Sequence, residues 1–249
     1  PVRADWGRFR VTISGKYISR SQGGQNDPLP NRERLCQYRS EFRPNEVITI
    51  VPPLYGLVLA GGRGSRLGRD KAALDYHGMP QVRWALALLA RHCTRVWASA
   101  RDAAQAAEFP FVDLPTLTDA PQVEGPAAGL AAAFGCAPDA AWLLVAVDMP
   151  LLEDATLEAL VANRDPRAIA TAYRHPDGTP EPLCTVWEPA VRGLLATKGS
   201  PSLRRLVEGS TARLLAPANP LWLKSVNTEA DDAAVRELLG RRGREPPNG

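Results

Sequence analysis

A loop rich in glycine and basic residues directly follows an apolar segment of the chain. The apolar residues 55–60 run into Gly61 and Gly62, and Arg66 and Lys71 follow shortly afterwards. Because glycine has no Cβ, the backbone N–H groups of such a loop can converge on an anion. Arginine and lysine side chains add full positive charge at the same place. The sequence therefore predicts a site for phosphate groups.

The spacing of these glycines matches neither of two well-known phosphate-binding patterns. Gly62, Gly64 and Gly68 are one residue too far apart for the dinucleotide pattern G-x-G-x-x-G. Lys71 is not followed by Ser or Thr, as the P-loop pattern requires. An ordinary surface loop between a strand and a helix therefore stays an alternative interpretation.

An aspartate follows the most apolar segment of the chain. Residues 141–147 read Ala-Trp-Leu-Leu-Val-Ala-Val, and Asp148 comes next. A carboxylate at the exit of a buried strand is well placed to hold Mg²⁺, which neutralises the charge of a nucleoside triphosphate. The alternative is an Asx turn or a helix cap before Pro150. Together with the glycine loop, this pattern favours metal binding.

From residue 54 onward, predicted strands alternate with predicted helices. This alternation indicates an α/β protein with a mostly parallel sheet and helices on both faces, a Rossmann-like three-layer α/β/α fold. Ligands of such sheets bind at the carboxyl ends of the strands, where the glycine loop and Asp148 both lie. The main predicted strands cover residues 55–60, 95–99, 142–147, 168–173 and 183–187, and the main helices cover residues 82–91, 103–108, 126–136, 154–163 and 229–239.

Two local elements and the division of the chain give further expectations. Asp154 is expected to cap the helix that follows it, and residues 221–226 are a candidate strand. Residues 1–53 are rich in polar residues, glycine and proline, and we expect an N-terminal extension that is largely disordered apart from a short strand within residues 11–18. Residues 54–240 then form the domain, and residues 241–249 a disordered basic tail.

Bulk composition excludes several classes of protein. The 249 residues carry a net charge of only +3, which argues against a nucleic-acid partner. The four cysteines are widely spaced without a CxxC pair, which favours reduced thiols over a zinc site or a disulfide scaffold. Since no apolar leader or long apolar segment is present, we expect a cytoplasmic protein without a membrane partner.

The glycine loop resembles the signature of one enzyme family. Residues 59–71, Leu-Ala-Gly-Gly-Arg-Gly-Ser-Arg-Leu-Gly-Arg-Asp-Lys, are similar to the pattern LAGG-x-S-x-R-M-G-x-D-K of the molybdenum cofactor guanylyltransferases. Residues 144–151, an apolar strand that ends in Asp-Met-Pro before the last Leu, resemble the second signature of that family. Related cytidylyltransferases typically read Ala-Ala-Gly at the glycine turn, so Ala60-Gly61-Gly62 favours guanine.

The resemblance implies a nucleotidyltransferase fold and a specific reaction. GMP would pass from GTP to the terminal phosphate of molybdenum-bound molybdopterin, with release of pyrophosphate and with Mg²⁺ as the cofactor. The substrates would be GTP and molybdopterin. A molybdoenzyme or a chaperone would be the partner that delivers or accepts the product.

The same resemblance implies a role for individual residues. Arg66 and Lys71 would neutralise the phosphates, Asp148 would hold Mg²⁺, and Asp119 would contact the nucleoside. The catalytic set would thus be Arg66, Lys71 and Asp148. The nucleotide-binding set would be Leu59, Ala60, Gly61, Gly62, Gly64, Lys71, Asp119 and Asp148.

Fewer residues match the family at the expected acceptor site and at the expected site for the base. Pro182, within a segment that resembles a family motif near the acceptor, and Asn227, within Ser-Val-Asn-Thr, would bind the acceptor. Asn227 and Thr228 also have the residue types and position of a helix N-cap. Relatives often carry an asparagine at the end of the second strand, whereas residues 98–102 contain none, so Ser99 or Arg101 would have to replace it.

Three other functions remain open from the sequence. A cytidylyltransferase or a sugar-phosphate nucleotidyltransferase keeps the chemistry and changes the substrate. A nucleotide-binding module without catalysis would explain the missing asparagine. An oxidoreductase with an irregular dinucleotide loop is the third, although the chain has no regular fingerprint for a nicotinamide cofactor.

Overall fold

Residues 1–53 and 54–249 form two separate compact units. The structure, a computed structural model, describes residues 10–13, 16–19, 49–61, 68–195 and 202–242. In the first unit, strands β1 (Arg10–Ile13), β2 (Lys16–Ser19) and β3 (Thr49–Val51) form an antiparallel sheet in the order β2-β1-β3. The expectation of one strand within residues 11–18 was wrong, because two antiparallel strands occupy this segment. Most of residues 1–53 lie outside the described residues, so the expected disorder of this segment stays a prediction.

A sheet of seven strands is the centre of the described part of the second unit. Its order is β10-β8-β9-β7-β4-β5-β6, and every neighbouring pair is parallel except the two pairs that β9 makes. The strands are β4 (Leu54–Leu59), β5 (Val96–Ala100), β6 (Thr116–Thr118), β7 (Ala141–Ala146), β8 (Ala170–Arg174), β9 (Pro180–Trp187) and β10 (Ala212–Leu215).

Helices connect these strands and cover both faces of the sheet. The longer ones are α1 (Gln81–Leu89), α2 (Ala103–Ala107), α3 (Pro126–Cys136), α4 (Asp154–Ala162), α5 (Arg192–Leu195), α6 (Leu203–Glu208) and α7 (Glu229–Arg242), and short 3₁₀ turns lie at Lys71–Ala73, Pro189–Val191 and Pro220–Leu223. Apolar residues of α1 and α4 pack in one core cluster, and those of α3 and α6 in another.

The central strands supply side chains to both clusters. Leu57 and Leu144 belong to one cluster, whereas their neighbours Val58 and Val145 belong to the other. This alternation follows from the two-residue period of a strand, which points successive side chains to opposite faces. All six residues of β7 are buried, as expected for a strand with helices over both of its faces. The predicted three-layer fold with a mostly parallel sheet is confirmed.

Two local predictions were wrong. Residues 221–226 do not form a strand: Pro220–Leu223 is a 3₁₀ turn, and the Asn219 side chain accepts a hydrogen bond from Leu221 N. Asp154 does not cap its helix, because Glu153 is the N-cap residue and Asp154 lies in the first turn. The Asp154 carboxylate instead contacts His92 Nε2 at 2.8 Å.

The last helix closes over the segment that follows β7. Val226 and Val235 pack with Leu74 and Leu151 in a third small apolar cluster. This packing brings the C-terminal residues to the place where β7 ends. Arg241 and Arg242, expected in the tail, continue α7, and the rest of the predicted tail lies outside the described residues. None of the helices in the described ranges is long and apolar enough to cross a membrane.

Gly129 should be a packing-critical residue of α3. We expect Gly129→Ala to lower the free energy of unfolding by about 1–3 kcal/mol through overpacking. A Cβ there would lie 2.6 Å from Leu59 Cδ2 and 3.1 Å from Ser99 Oγ. The matched control is Gly135→Ala in the same helix, where nothing lies within 4 Å of the new atom and the helix propensity of alanine favours folding. Chemical denaturation measures both variants, and equal stabilities would contradict the packing at Gly129.

Candidate functional site

One ammonium group joins two oxygen atoms from distant parts of the chain. Lys71 Nζ donates to Asp148 Oδ2 at 2.8 Å and to Asn227 Oδ1 at 2.7 Å. The Lys71 and Asp148 side chains are 19% and 17% exposed, so the pair is partly shielded and still reachable from solvent. The structure thus brings together three residues that the sequence placed in separate motifs.

Local structure holds each member of this group in place. Asp148 comes two residues after β7, and its carbonyl oxygen accepts a hydrogen bond from Val226 N at 2.8 Å. Lys71 begins a 3₁₀ turn that Asp70 caps, since Asp70 Oδ1 accepts from Ala72 N at 2.9 Å. The lysine and the aspartate therefore start from fixed backbone positions.

The Asp148 carboxylate has the chemistry that a magnesium ion needs. Its second oxygen, Oδ1, is buried and has no hydrogen-bond partner within the described residues. A buried oxygen without a partner is costly unless a ligand satisfies it. The described residues contain no cluster of three or more His, Cys, Asp or Glu that could hold a metal. Mg²⁺ is commonly bound through one or two carboxylates, with phosphates and waters as its other ligands. Asp148 fits that pattern.

The turn before α7 sets the position of Asn227. Thr228 and Asp231 form a reciprocal cap, because Asp231 N donates to Thr228 Oγ1 at 3.1 Å and Asp231 Oδ2 accepts from Thr228 N at 3.1 Å. Asn227 N donates to the same Asp231 oxygen at 3.2 Å. Thr228 is thus the capping residue. The Asn227 side chain takes no part in the cap and instead contacts Lys71.

A second polar group lies where β5 and β6 end. Ser99 is buried, and its hydroxyl accepts from Ala60 N at 3.3 Å. It also hydrogen-bonds the Asp119 carboxylate, and Asp119 N donates to Ala100 O at 2.9 Å. Burial raises the pKa of Asp119 to about 6, although the bond from Ser99 and the charge of Arg101 oppose that rise. Ser99 therefore connects the Asp119 carboxylate to Ala60, the residue directly before the glycine loop.

Gly61 shows why the loop begins with a residue that has no side chain. An added Cβ would lie 2.7 Å from Asp119 Oδ2 and 2.9 Å from Arg101 N. Such distances are below normal contact, and the Arg101 atom belongs to the backbone, which cannot move aside easily. The start of the loop therefore packs directly against the ends of β5 and β6.

The remaining predicted residues fall into two groups. Leu59 is the last residue of β4, Ala60 follows it, and both lie at the edge of the sheet where β7 also ends. Pro182 lies in β9, whose register places Cys184 opposite Val145, so Pro182 reaches the same edge. Gly62, Gly64 and Arg66 lie outside the described residues.

Three residues acquire a significance that the sequence did not reveal. Ser99, considered only as a substitute for asparagine, is an internal link between β4, β5 and Asp119. His175, to which no role was given, contacts Glu181 at 3.0 Å beside the predicted acceptor segment. Glu181 lies two residues before the predicted strand 183–187, because β9 already begins at Pro180. Its contact with His175 across the turn depends on the hairpin register. Cys184 is buried, and burial raises the pKa of its thiol.

The arrangement is that of an α/β protein that handles phosphorylated ligands. The carboxyl ends of the parallel strands are where such folds bind ligands. There the described residues bring together a cation, a carboxylate oxygen that has no partner among them, and the first residue of the glycine loop. The MobA-like NTP transferase domain model matches residues 56–215. The chain belongs to this family, and the family predicted from the glycine loop is confirmed.

Individual relatives agree with this assignment. A molybdenum cofactor biosynthesis bifunctional protein of Synechocystis sp. is 33% identical over 183 residues, which are 72% of this chain and 52% of that protein. This chain thus spans about half the length of that relative. A probable molybdenum cofactor guanylyltransferase of Synechococcus elongatus is 31% identical over 189 residues, 72% of this chain and 96% of the relative.

A solved structure supports the fold. The crystal structure of molybdopterin-guanine dinucleotide biosynthesis protein A from Archaeoglobus fulgidus has a TM-score of 0.63 at 21% identity. The match covers 75% of this chain and 99% of that one. The similarity confirms the predicted architecture of the second unit.

Asp119 should make stability depend on pH. Its pKa of about 6 in the folded protein is above the ordinary 3.8, so folding binds a proton between these values. Stability from this group is therefore greatest at low pH and falls as the pH rises through about 6. We expect Asp119→Asn to melt above the wild type at about pH 7 and to lose that advantage at about pH 4. Thermal melts across this range measure the difference, and a difference that does not change with pH would contradict the assigned burial.

Proposed function

We propose that this chain transfers GMP from GTP to the terminal phosphate of molybdopterin and releases pyrophosphate. The observation that carries the proposal is the contact of 2.8 Å between Lys71 Nζ and Asp148 Oδ2 at the end of β7. This contact joins a cation to a carboxylate whose second oxygen has no hydrogen-bond partner within the described residues. Family membership and relatives described as guanylyltransferases support the same reaction.

The proposed reaction requires the protein to position two substrates and to stabilise negative charge on the phosphates. The acceptor phosphate is already a nucleophile, so the protein has to hold it in line with the α-phosphate of GTP. The Lys71 ammonium would stabilise negative charge on the phosphates and on the leaving pyrophosphate. Arg66 would act in the same way. Asp148 would hold Mg²⁺, which supplies further neutralisation of the triphosphate when it is bound.

The two substrates would bind at different strands along the carboxyl edge of the sheet. Where β5 and β6 end, Gly61 and Asp119 adjoin each other and would contact the nucleotide. Pro182 lies in β9 at the same edge and would meet molybdopterin, with Asn227 beside Lys71. Delivery by a molybdoenzyme or chaperone and a cytoplasmic location are parts of the same proposal. The cysteines that the structure describes are free thiols, as a reducing compartment requires.

Nucleotide binding tests the proposal first. We expect the purified chain to bind GTP more tightly than CTP, ATP or UTP in the presence of Mg²⁺, and Asp148→Asn to lose the dependence on the metal. Isothermal titration calorimetry of each nucleotide, with and without Mg²⁺, measures both effects. A preference for CTP would indicate a cytidylyltransferase, and tight GTP binding without pyrophosphate release would indicate a binding module. Failure to bind any nucleotide would contradict the site itself.

Lys71 should matter for turnover more than for folding. We expect Lys71→Met to lower kcat by about 10²-fold, the usual effect of removing one group that stabilises transition-state charge. The melting temperature should change little, because a partly exposed ion pair contributes about 0–1 kcal/mol. Pyrophosphate release and a thermal melt on the same preparation separate the two effects. If the variant unfolds while its residual activity per folded molecule is normal, Lys71 is a structural residue.

A further inference from the structure

Asn227 contacts Lys71, the residue to which a role on the phosphates of the nucleotide is proposed. From this contact we infer that Asn227 is a positioning residue for Lys71, and that it sets the affinity for the nucleotide in the absence of any acceptor. The inference rests on the proposed function, since it assumes that Lys71 binds phosphates. The observation that carries it is the hydrogen bond of 2.7 Å from Lys71 Nζ to Asn227 Oδ1.

The second partner of Lys71 explains why a positioning residue is needed. Asp148 Oδ2 accepts from Lys71 at 2.8 Å, yet the same carboxylate is the expected ligand of Mg²⁺. A bound divalent cation would offset the negative charge that attracts the ammonium. Lys71 carries four rotatable side-chain bonds and would gain freedom when that attraction weakens. Among the described residues, the Asn227 oxygen is then the partner that still holds the ammonium.

The backbone that carries the Asn227 side chain is fixed by hydrogen bonds. The backbone N–H of Asn227 donates to Asp231 Oδ2, inside the reciprocal cap of Thr228 and Asp231. The preceding residue, Val226, donates from its N–H to the carbonyl of Asp148. The segment that carries Asn227 is therefore tied to both α7 and the exit of β7. Because the backbone of Asn227 is already ordered, only its short side chain loses conformational entropy when the oxygen binds the ammonium.

The neutral amide suits the task better than a carboxylate would. A second carboxylate at this position would compete with the phosphates for the charge of Lys71. The neutral amide oxygen instead orients the ammonium and leaves its charge uncompensated. The residue type therefore fits orientation of Lys71 and not neutralisation.

A double-mutant cycle on GTP affinity tests the inference without an acceptor. The four proteins are the wild type, Asn227→Ala, Lys71→Met and the double variant, each titrated with GTP and Mg²⁺ by calorimetry. We expect Asn227→Ala to raise the Kd about five- to tenfold, the loss of one exposed hydrogen bond to a charged group. In the Lys71→Met background the same change should have no effect, because its target is gone. Where affinity falls below the calorimetric range, the shift of the melting temperature at millimolar GTP and Mg²⁺ replaces it.

The control is another asparagine whose side chain makes a local cap. Asn219→Ala removes an oxygen that accepts from Leu221 N at 3.0 Å and should leave the Kd for GTP unchanged. An unchanged Kd in Asn227→Ala overturns the inference and leaves Asn227 as an acceptor residue alone. An equal loss of affinity with and without Lys71 overturns it too, since Asn227 would then act independently. If the wild type binds no nucleotide, the proposed function itself has failed, which distinguishes the two failures.

Discussion

The site is built around one ammonium group that must satisfy oxygen atoms from two remote parts of the chain. Asp148 is 77 residues beyond Lys71 in sequence, and Asn227 is 156 residues beyond it. Their meeting requires β7 to lie beside β4 in the sheet and α7 to pack back over the exit of β7. Leu74, Leu151 and Val235 provide that packing in one apolar cluster. The hydrophobic contacts thus hold together the segments whose oxygen atoms meet the ammonium.

Where β4, β5 and β6 end, the packing depends on small residues and not on charged ones. Ser99 reaches both Ala60 and Asp119 because Gly129 leaves room for its side chain. Gly61 in turn lets β4 run directly past the end of β5. Close packing at this edge keeps water away from Asp119, which accounts for the raised pKa of that carboxyl. The same edge therefore holds a partly shielded ion pair at one end and a carboxyl with a raised pKa at the other.

Elements that bury a whole face were predictable, and those that depend on local polar contacts were not. The sequence of β7 has no polar residue, and α3 begins with a proline after glycine, so both were found with little error. Residues 221–226 are also mostly apolar, with Lys224 and Ser225 as the exceptions, yet Asn219 and Pro220 start a 3₁₀ turn there. Side-chain pairing was the least predictable, since Lys71 and Asn227 belong to motifs whose distance in space depends on the whole fold. The glycine-loop residues Gly62, Gly64 and Arg66 keep their predicted roles as predictions.

Residues 98–102, where β5 ends, contain no asparagine, so under the proposed function another side chain would have to meet the base. Ser99 is only 1% exposed and is already bonded inside the protein, so its side chain does not face a ligand. Arg101 presents its side chain to solvent, where it contacts Asp102 at 2.9 Å. A guanidinium donates hydrogen bonds and accepts none, whereas an amide does both. The O6 and N7 atoms of guanine both accept hydrogen bonds, a pattern that arginine matches with two donors. An arginine at this position is therefore compatible with guanine, provided that the ligand replaces the contact with Asp102.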